Sequence, residues 1–316
     1  MPLANGKTIY QGHYTILDTV ASGGFATVYR AQEQGRPQEV AIKLCHVAND
    51  PNYTKSMLKE AEILQRLQDP RLVRIHPIPR DGKASVYYAQ ALEVSGHPPF
   101  FVMEYLSGGT LNDYLNQVGP LSVPEAVAIA LQVARGLDHM HQKNYAHNDL
   151  KLENVVFRVP VQAGQPFQPV LVDFGIAARL QTPDAGSLYI MPPEQVNKIN
   201  MATAPEMQPP VDMIKVDVWG LGVVLYRMLG GKLPFASRSA KSLTQMIVHS
   251  RPTSLLTLQQ NVPAEIDALV IDGCLAKDPR HRLTLLDVGH QLAQWGDGVM
   301  ASKSAQAQKK PRWGLG

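Results

Sequence analysis

A chain of 316 residues, 45% hydrophobic and 18% charged, is long enough to bury one large core or the cores of two lobes, and its composition is that of a soluble globular protein. Its 30 Lys and Arg against 27 Asp and Glu leave a charge of +3, spread along the chain, which argues against a nucleic-acid surface built on clustered basic residues. Two cysteines, Cys45 and Cys274, make neither a disulfide set nor a metal site and fit a reducing, cytoplasmic compartment. The first residues hold no apolar signal core, and runs such as V-W-G-L-G-V-V-L-Y (218–226) fall short of the roughly 18 apolar residues of a membrane helix.

In chain order, H-Y-T-I-L-D-T-V (13–20) and A-T-V-Y-R-A (26–31) alternate and are β-branched, so they read as strands around an S-G-G turn. Residues 40–44 read as a third strand. Residues 55–68 carry apolar side chains at 57, 58, 61, 64 and 67, which is helical spacing, and D-P at 69–70 stops the helix. Residues 86–94 and 100–106 read as two more strands. After S-G-G-T-L (107–111) the chain turns helical, over 124–141, 216–229, 264–275 and 283–295, with short strands at 155–159 and 169–173. Residues 160–169 and 197–215, rich in Pro with Gln or Met, read as loop insertions, and 296–316 reads as a polar, basic, disordered tail.

Four motifs carry chemistry. A-S-G-G-F-A-T-V (21–28) can lay backbone N–H groups over phosphates, although a plain hairpin uses the same residues. V-A-I-K (40–43) sets a lysine on an apolar strand, where it needs a counter-charge; the following helix offers Glu60 and Glu62. H-N-D-L-K-L-E-N (147–154) and D-F-G (173–175) supply the rest. Asn154 and Asp173 are hard oxygen donors suited to Mg²⁺, Asp149 can accept a hydroxyl proton, and Lys151 can neutralise a phosphoryl group.

This ordered set resembles the protein kinase superfamily, in the wording of its bacterial, eukaryotic-like Ser/Thr members, from about residue 14 to 295. F-V-M-E-Y-L-S-G-G-T-L (101–111) resembles the interlobe hinge, and G-S-L-Y-I-M-P-P-E (186–194), D-V-W-G-L-G (217–222) and D-P-R-H-R (278–282) resemble three later family motifs. The resemblance implies an α+β, bilobal kinase fold: a β-rich N-lobe (14–103) with one regulatory helix, a hinge (104–107) and a mainly helical C-lobe (108–295). It implies an enzyme that moves the γ-phosphoryl of ATP, with Mg²⁺ or Mn²⁺, to Ser/Thr hydroxyls of proteins, itself included. Lys43 would hold the α- and β-phosphates, Asp149 would be the base, Lys151 would stabilise the transferring group, and Asn154 and Asp173 would bind the metal. Glu60 is the expected partner of Lys43, because Leu64, four residues on, can pack in the regulatory stack where Arg66, four after Glu62, cannot. Val20, Val28, Ala41, Met103 and Val156 would sandwich the adenine, backbone at Glu104 and Leu106 would bond its edge, and Gly23 and Gly24 would cover the phosphates. Glu194 and Arg282 would form a buried ion pair, Asp217 would brace the catalytic loop, and His147 would pack within it.

Two departures stand out. Ala21 and Ala26 occupy two glycine positions of the turn, which stiffens it and should slow nucleotide closure. Asn148 stands where the family commonly has an arginine that reads a phosphate on the activation segment. That segment is ten residues long between Gly175 and Gly186 and holds one hydroxyl, Thr182, so activity is expected without its phosphorylation. The rival expectation is a pseudokinase serving as a nucleotide-binding scaffold; a small-molecule kinase on a related fold is a third. Expected partners are protein substrates and ATP, not nucleic acid; a membrane tether is expected only if the chain continues into a longer protein.

Overall fold

The computed structural model describes residues 3–46, 51–174, 188–200 and 211–308. Two compact units emerge from its contacts: Met1–Leu111 with His139–Asp184, and Asn112–Asp138 with Ala185–Gly316.

The first unit is built on an antiparallel sheet. Its strands are β1 (Thr8–Ile9), β2 (Tyr14–Ser22), β3 (Ala26–Glu33), β4 (Glu39–Cys45), β5 (Ile75–His76), β8 (Ala89–Gln90) and β9 (Pro99–Glu104), in spatial order β1-β2-β3-β4-β9-β5 with β8 on β9. A separate hairpin pairs β6 (Ile78–Arg80) with β7 (Lys83–Val86). Period-two alternation decides the faces. Val40, Ile42 and Leu44 join Tyr14, Ile16, Tyr29, Phe100 and Val102 in one buried cluster, which turns Ala41 and Lys43 to the opposite face. Helix α1 (Pro51–Arg66) buries Met57, Ala61 and Leu64, as its spacing requires. A second small sheet pairs β10 (Val155–Phe157) with β11 (Pro169–Leu171).

The expected strand over 86–94 is instead two short pairings and a loop. Val94 N donates to Ala91 O and His97 N to Val94 O, closing successive turns, and Gly96 and His97 have positive φ. β10 and β11 also stop two residues short of expectation. Val172 N turns away to Asn154 O, and Asp173 takes φ of +59°.

Helices dominate the second unit. α2 (Leu111–Val118) and α3 (Val123–Gln142) begin there or run into it, followed by α4 (Pro193–Asn200), α5 (Met213–Gly230), α6 (Ala240–His249), α7 (Leu255–Leu258), α8 (Ala264–Ala268) and α9 (Leu285–Gln308). α5 is capped at both ends: the Asp212 carboxylate accepts from Ile214 N at 3.0 Å, and Gly231, at φ 70°, donates to Arg227 O. Trp219 stacks on Phe235 at 6.0 Å. Arg282, fully buried, grips both Glu194 carboxylate oxygens at 2.6 Å and donates to Ala276 O, so every face of the guanidinium is used. Asp217 is buried within α5.

The helix expected over 264–275 is α8 followed by a wider-turned π stretch, Leu269–Cys274. α4 enters the expected insertion at 197–215, of which 201–210 lie outside the described residues. α9 runs on to Gln308, through much of the stretch expected as a tail; Ala, Lys and Gln there are strong helix formers whatever their polarity. Among the described residues, no helix is long and apolar enough to cross a membrane.

Close packing yields a direct stability prediction. A Cβ on Gly222 of α5 would stand 2.6 Å from Cys274 Cβ. Gly222→Ala should therefore cost about 1–3 kcal/mol through overpacking, read as a lower midpoint in denaturant melts with an unchanged slope.

Candidate active site

The residues expected to form the site lie in the first unit. Lys43 sits in mid-strand on β4, opposite Val28 of β3 and Phe101 of β9, with 12% of its side chain exposed. Its Nζ donates to both Glu60 oxygens at 2.8 Å and to Asp173 Oδ1 at 2.5 Å. α1 turns Glu60 inward and Glu62 to solvent, and Leu64 is buried one turn on. Arg66 is exposed and donates to the Tyr145 hydroxyl at 3.2 Å.

Two carboxylates thus share one ammonium. Lys43 holds the Asp173 carboxyl below the usual carboxylate range. Burial pushes the Glu60 carboxyl up to about 7, against the pull of Lys43 and with the charge of Asp173 adding to the rise. The Lys43 ammonium is pulled down by burial and up, more strongly in total, by the two carboxylates.

The polar run after α3 is ordered by its histidine. His147 is fully buried, edge-on to Phe174 at 5.3 Å, with Nε2 3.0 Å from Val172 O. A carbonyl only accepts, so Nε2 carries the proton and Nδ1 accepts from Asp149 N at 3.4 Å. Asn148 adopts φ of +64°, a region that asparagine tolerates better than most residues, and its Nδ2 donates to Ala146 O at 3.4 Å.

Asp149 is 9% exposed; its carboxylate lies 2.9 Å from Lys151 Nζ and accepts from Asn154 Nδ2 at 3.0 Å. Burial raises its pKa, with Lys151 opposing. The Asn154 amide nitrogen also donates to Asp149 O at 2.8 Å, which commits the nitrogen and leaves Oδ1 for another partner. Asp173 keeps its second oxygen clear of Lys43 and is half-exposed. One amide oxygen and one carboxylate are hard donors too few to enclose an ion, and they fit Mg²⁺, which keeps waters and takes its remaining ligands from phosphates.

Of the residues expected to sandwich an adenine, Val28, Ala41 and Met103 fall on the sheet face that bears Lys43, while Val156 lies on β10 of the second, smaller sheet. Ala41 pairs with Met103 across β4 and β9, and Val28 pairs with Lys43. Val20 lies in a bulge of β2, between the Thr19–Tyr29 and Ala21–Val28 pairs, and is 49% exposed. Val28, Met103, Leu106 and Val156 are half-buried. Glu104 ends β9, and the segment after it is zipped to β10: Ser107 N donates to Arg158 O and Gly108 N to Phe157 O.

Sequence reasoning missed how the glycine turn is fastened. Phe25 stacks on Tyr53 of α1 at 4.3 Å, and His46 N donates to Phe25 O at 2.7 Å. Thr27 Oγ1 contacts Ser22 Oγ at 3.3 Å and also His46 Nε2. Nothing short of the fold pairs these residues, since each is ordinary for its own strand or helix. Gly175, Thr182 and Ser187 lie outside the described residues.

The model of the protein kinase domain matches residues 14–293. The serine/threonine-protein kinase PrkC of Bacillus subtilis strain 168 is 30% identical over 286 residues, 88% of this chain and 39% of PrkC. The serine/threonine-protein kinase PknE of Mycobacterium tuberculosis strain H37Rv is 29% identical over 281 residues, 86% of this chain and 44% of PknE. PkaA of Streptomyces coelicolor, also a serine/threonine-protein kinase, is 29% identical over 309 residues, 93% and 52% of the two chains. The chain thus spans about half, or less, of the length of these curated relatives.

Burial, working against the pull of Lys43, gives Glu60 a signature in pH. A carboxyl raised from 4.5 to about 7 binds its proton more tightly in the native state than in the unfolded chain. Its contribution to stability therefore grows as pH falls through 7 towards 4.5, a window in which Lys43 stays charged and Asp173 stays ionised. The melting temperature of the wild type relative to Glu60→Gln should rise as pH falls from 8 to 5.5; a constant difference across that range would contradict the burial-raised Glu60 carboxyl.

Proposed function

Because this chain belongs to the protein kinase family, we propose that it transfers the γ-phosphoryl group of Mg²⁺–ATP to Ser/Thr hydroxyls of proteins, including its own. The domain runs from 14 to 295, with an N-lobe (14–103), a hinge (104–107) and a C-lobe (108–295). What carries the reading is that two charge-paired groups, Lys43–Glu60–Asp173 and Asp149–Lys151–Asn154, stand in one compact unit within electrostatic reach of each other.

Each part has a physical task. Lys43, tethered by Glu60, holds the α- and β-phosphates; tethering removes rotamer freedom that a phosphate would otherwise have to freeze out. Asp149 lies close to the incoming hydroxyl and accepts its proton, its raised pKa bringing it nearer to the operating pH. Lys151 exchanges its contact with Asp149 for the transferring phosphoryl group and neutralises charge there. Asn154 and Asp173 would hold Mg²⁺, which would neutralise phosphate charge. Val20, Val28, Ala41, Met103 and Val156 take the adenine between them, with backbone at Glu104 and Leu106 on its edge.

The glycines support the same reading. An added Cβ on Gly23 would meet nothing closer than Ala26 O at 3.8 Å, and on Gly24 nothing within 4 Å. Neither glycine has positive φ, so the fold makes no demand for glycine at either place. The demand comes from phosphates laid against the turn. The scaffold reading has no observation in its favour. A cytoplasmic domain, tethered to a membrane where the chain forms part of a longer protein, fits this function.

Incubation with Mg²⁺–ATP and a generic Ser/Thr substrate, with phosphosites mapped by mass spectrometry, tests the proposal. Phosphorylation should fall about a hundred- to ten-thousand-fold in Asp149→Asn. Absence of phosphotransfer in the wild type, with nucleotide binding intact, would favour the scaffold. Thr182→Ala should keep most of its activity, since Asn148 carries no charge to read a phosphate there.

A further inference from the structure

Arg158 interrupts an apolar stretch, V-V-F-R-V, at the end of β10. Its guanidinium Nη1 donates to Glu104 Oε2 and its Nη2 to Pro70 O at 2.8 Å. The pair is largely shielded, with 27% of the arginine and 15% of the glutamate side chain exposed. Glu104 is held from the other side as well: its Oε1 accepts from Arg74 N at 2.9 Å, and its own N donates to Arg74 O at 2.9 Å. Arg158 itself is fixed by backbone, donating from N to Gln168 O and accepting Ser107 N at its carbonyl.

We propose that Arg158 is a positioning residue for the nucleotide: it locks the hinge at Glu104 to the strand that carries Val156, and so sets the gap into which the adenine slides. The inference rests on the kinase reading given above. In that reading Glu104 and Leu106 present backbone to the adenine edge, while Val156, two residues before Arg158, lies against its face. One guanidinium therefore ties the edge-binding segment to the face-binding strand and to the turn at Pro70, from which the chain returns into β5 and β9. A planar fork can serve Glu104 and Pro70 together, which a lysine ammonium on a flexible stem does poorly. Arg158 reaches no group expected at the reacting phosphate, so its loss should weaken nucleotide binding and leave the chemical step alone.

The test compares wild type with Arg158→Leu, Arg158→Lys and Glu104→Gln in steady-state assays that vary ATP, with Mg²⁺–ATP affinity measured by calorimetry. Loss of a shielded charge-assisted contact predicts a KM for ATP raised about five- to thirtyfold in Arg158→Leu, with kcat within twofold and the KM for protein substrate unchanged. Arg158→Lys should fall between the two. Glu104→Gln, which keeps the side-chain shape, should shift KM in the same direction, and the double variant should be no worse than the poorer single one. An Arg158→Leu protein with wild-type KM for ATP, whatever its melting temperature, overturns the proposal and assigns the arginine to stability alone. Should Arg158→Leu fail to fold, an unchanged KM in Glu104→Gln overturns it equally. A wild-type protein that binds no Mg²⁺–ATP overturns the kinase reading itself, and is recognised before any variant is compared.

Discussion

One buried ammonium governs the architecture of the site. Lys43 stands on a strand whose neighbouring residues are apolar, where an unpaired charge would cost several kcal/mol. Its two counter-charges come from far along the chain, Glu60 from the inner face of α1 and Asp173 from the turn after β11. Both must arrive together, so the rotation of α1, the register of β4 between β3 and β9, and the path of the chain beyond Leu171 are fixed against one another. The left-handed φ at Asp173 is part of that settlement, since an extended residue would carry the strand onward instead of turning its carboxylate to the lysine.

Around this centre, backbone hydrogen bonds do what side chains alone could not. Val73 N donates to Leu171 O and Leu171 N to Arg71 O, which fastens the strand leading to Asp173 onto the segment leaving α1. Val172 N reaches Asn154 O, and His147 holds Val172 O while orienting Asp149. The polar run and the aspartate after β11 are therefore one hydrogen-bonded body. An asparagine at 148 suits this geometry, for its φ is positive and its short side chain turns back on Ala146. This residue finishes a local turn.

Much of this was legible in the letters because it rests on local chemistry. Alternation in 13–20 and 26–31 predicted β2 and β3, helical spacing in 55–68 predicted α1, and a lysine on an apolar strand predicted a counter-charge. The choice of Glu60 over Glu62 was reachable through what lies one turn further on, Leu64 or Arg66. Reading failed where pattern and context diverge. Residues 86–94 look like a strand by composition, yet turn hydrogen bonds and positive φ at Gly96 and His97 break it. Arg158 went unnoticed although the rule that singled out Lys43, a charge in an apolar strand, applies to it equally.

The sequence by itself determined which groups are present and in what order: a lysine, a glutamate, an aspartate, an asparagine and a second aspartate at family spacings. Only the tertiary structure decided which of these meet. Lys43 and Asp173 are 130 residues apart, and Arg158 and Glu104 are 54. Contacts at such separations depend on how elements rotate and pack, and the polar face of a single strand or helix looks the same whether its partner is solvent, a backbone carbonyl or a distant charge.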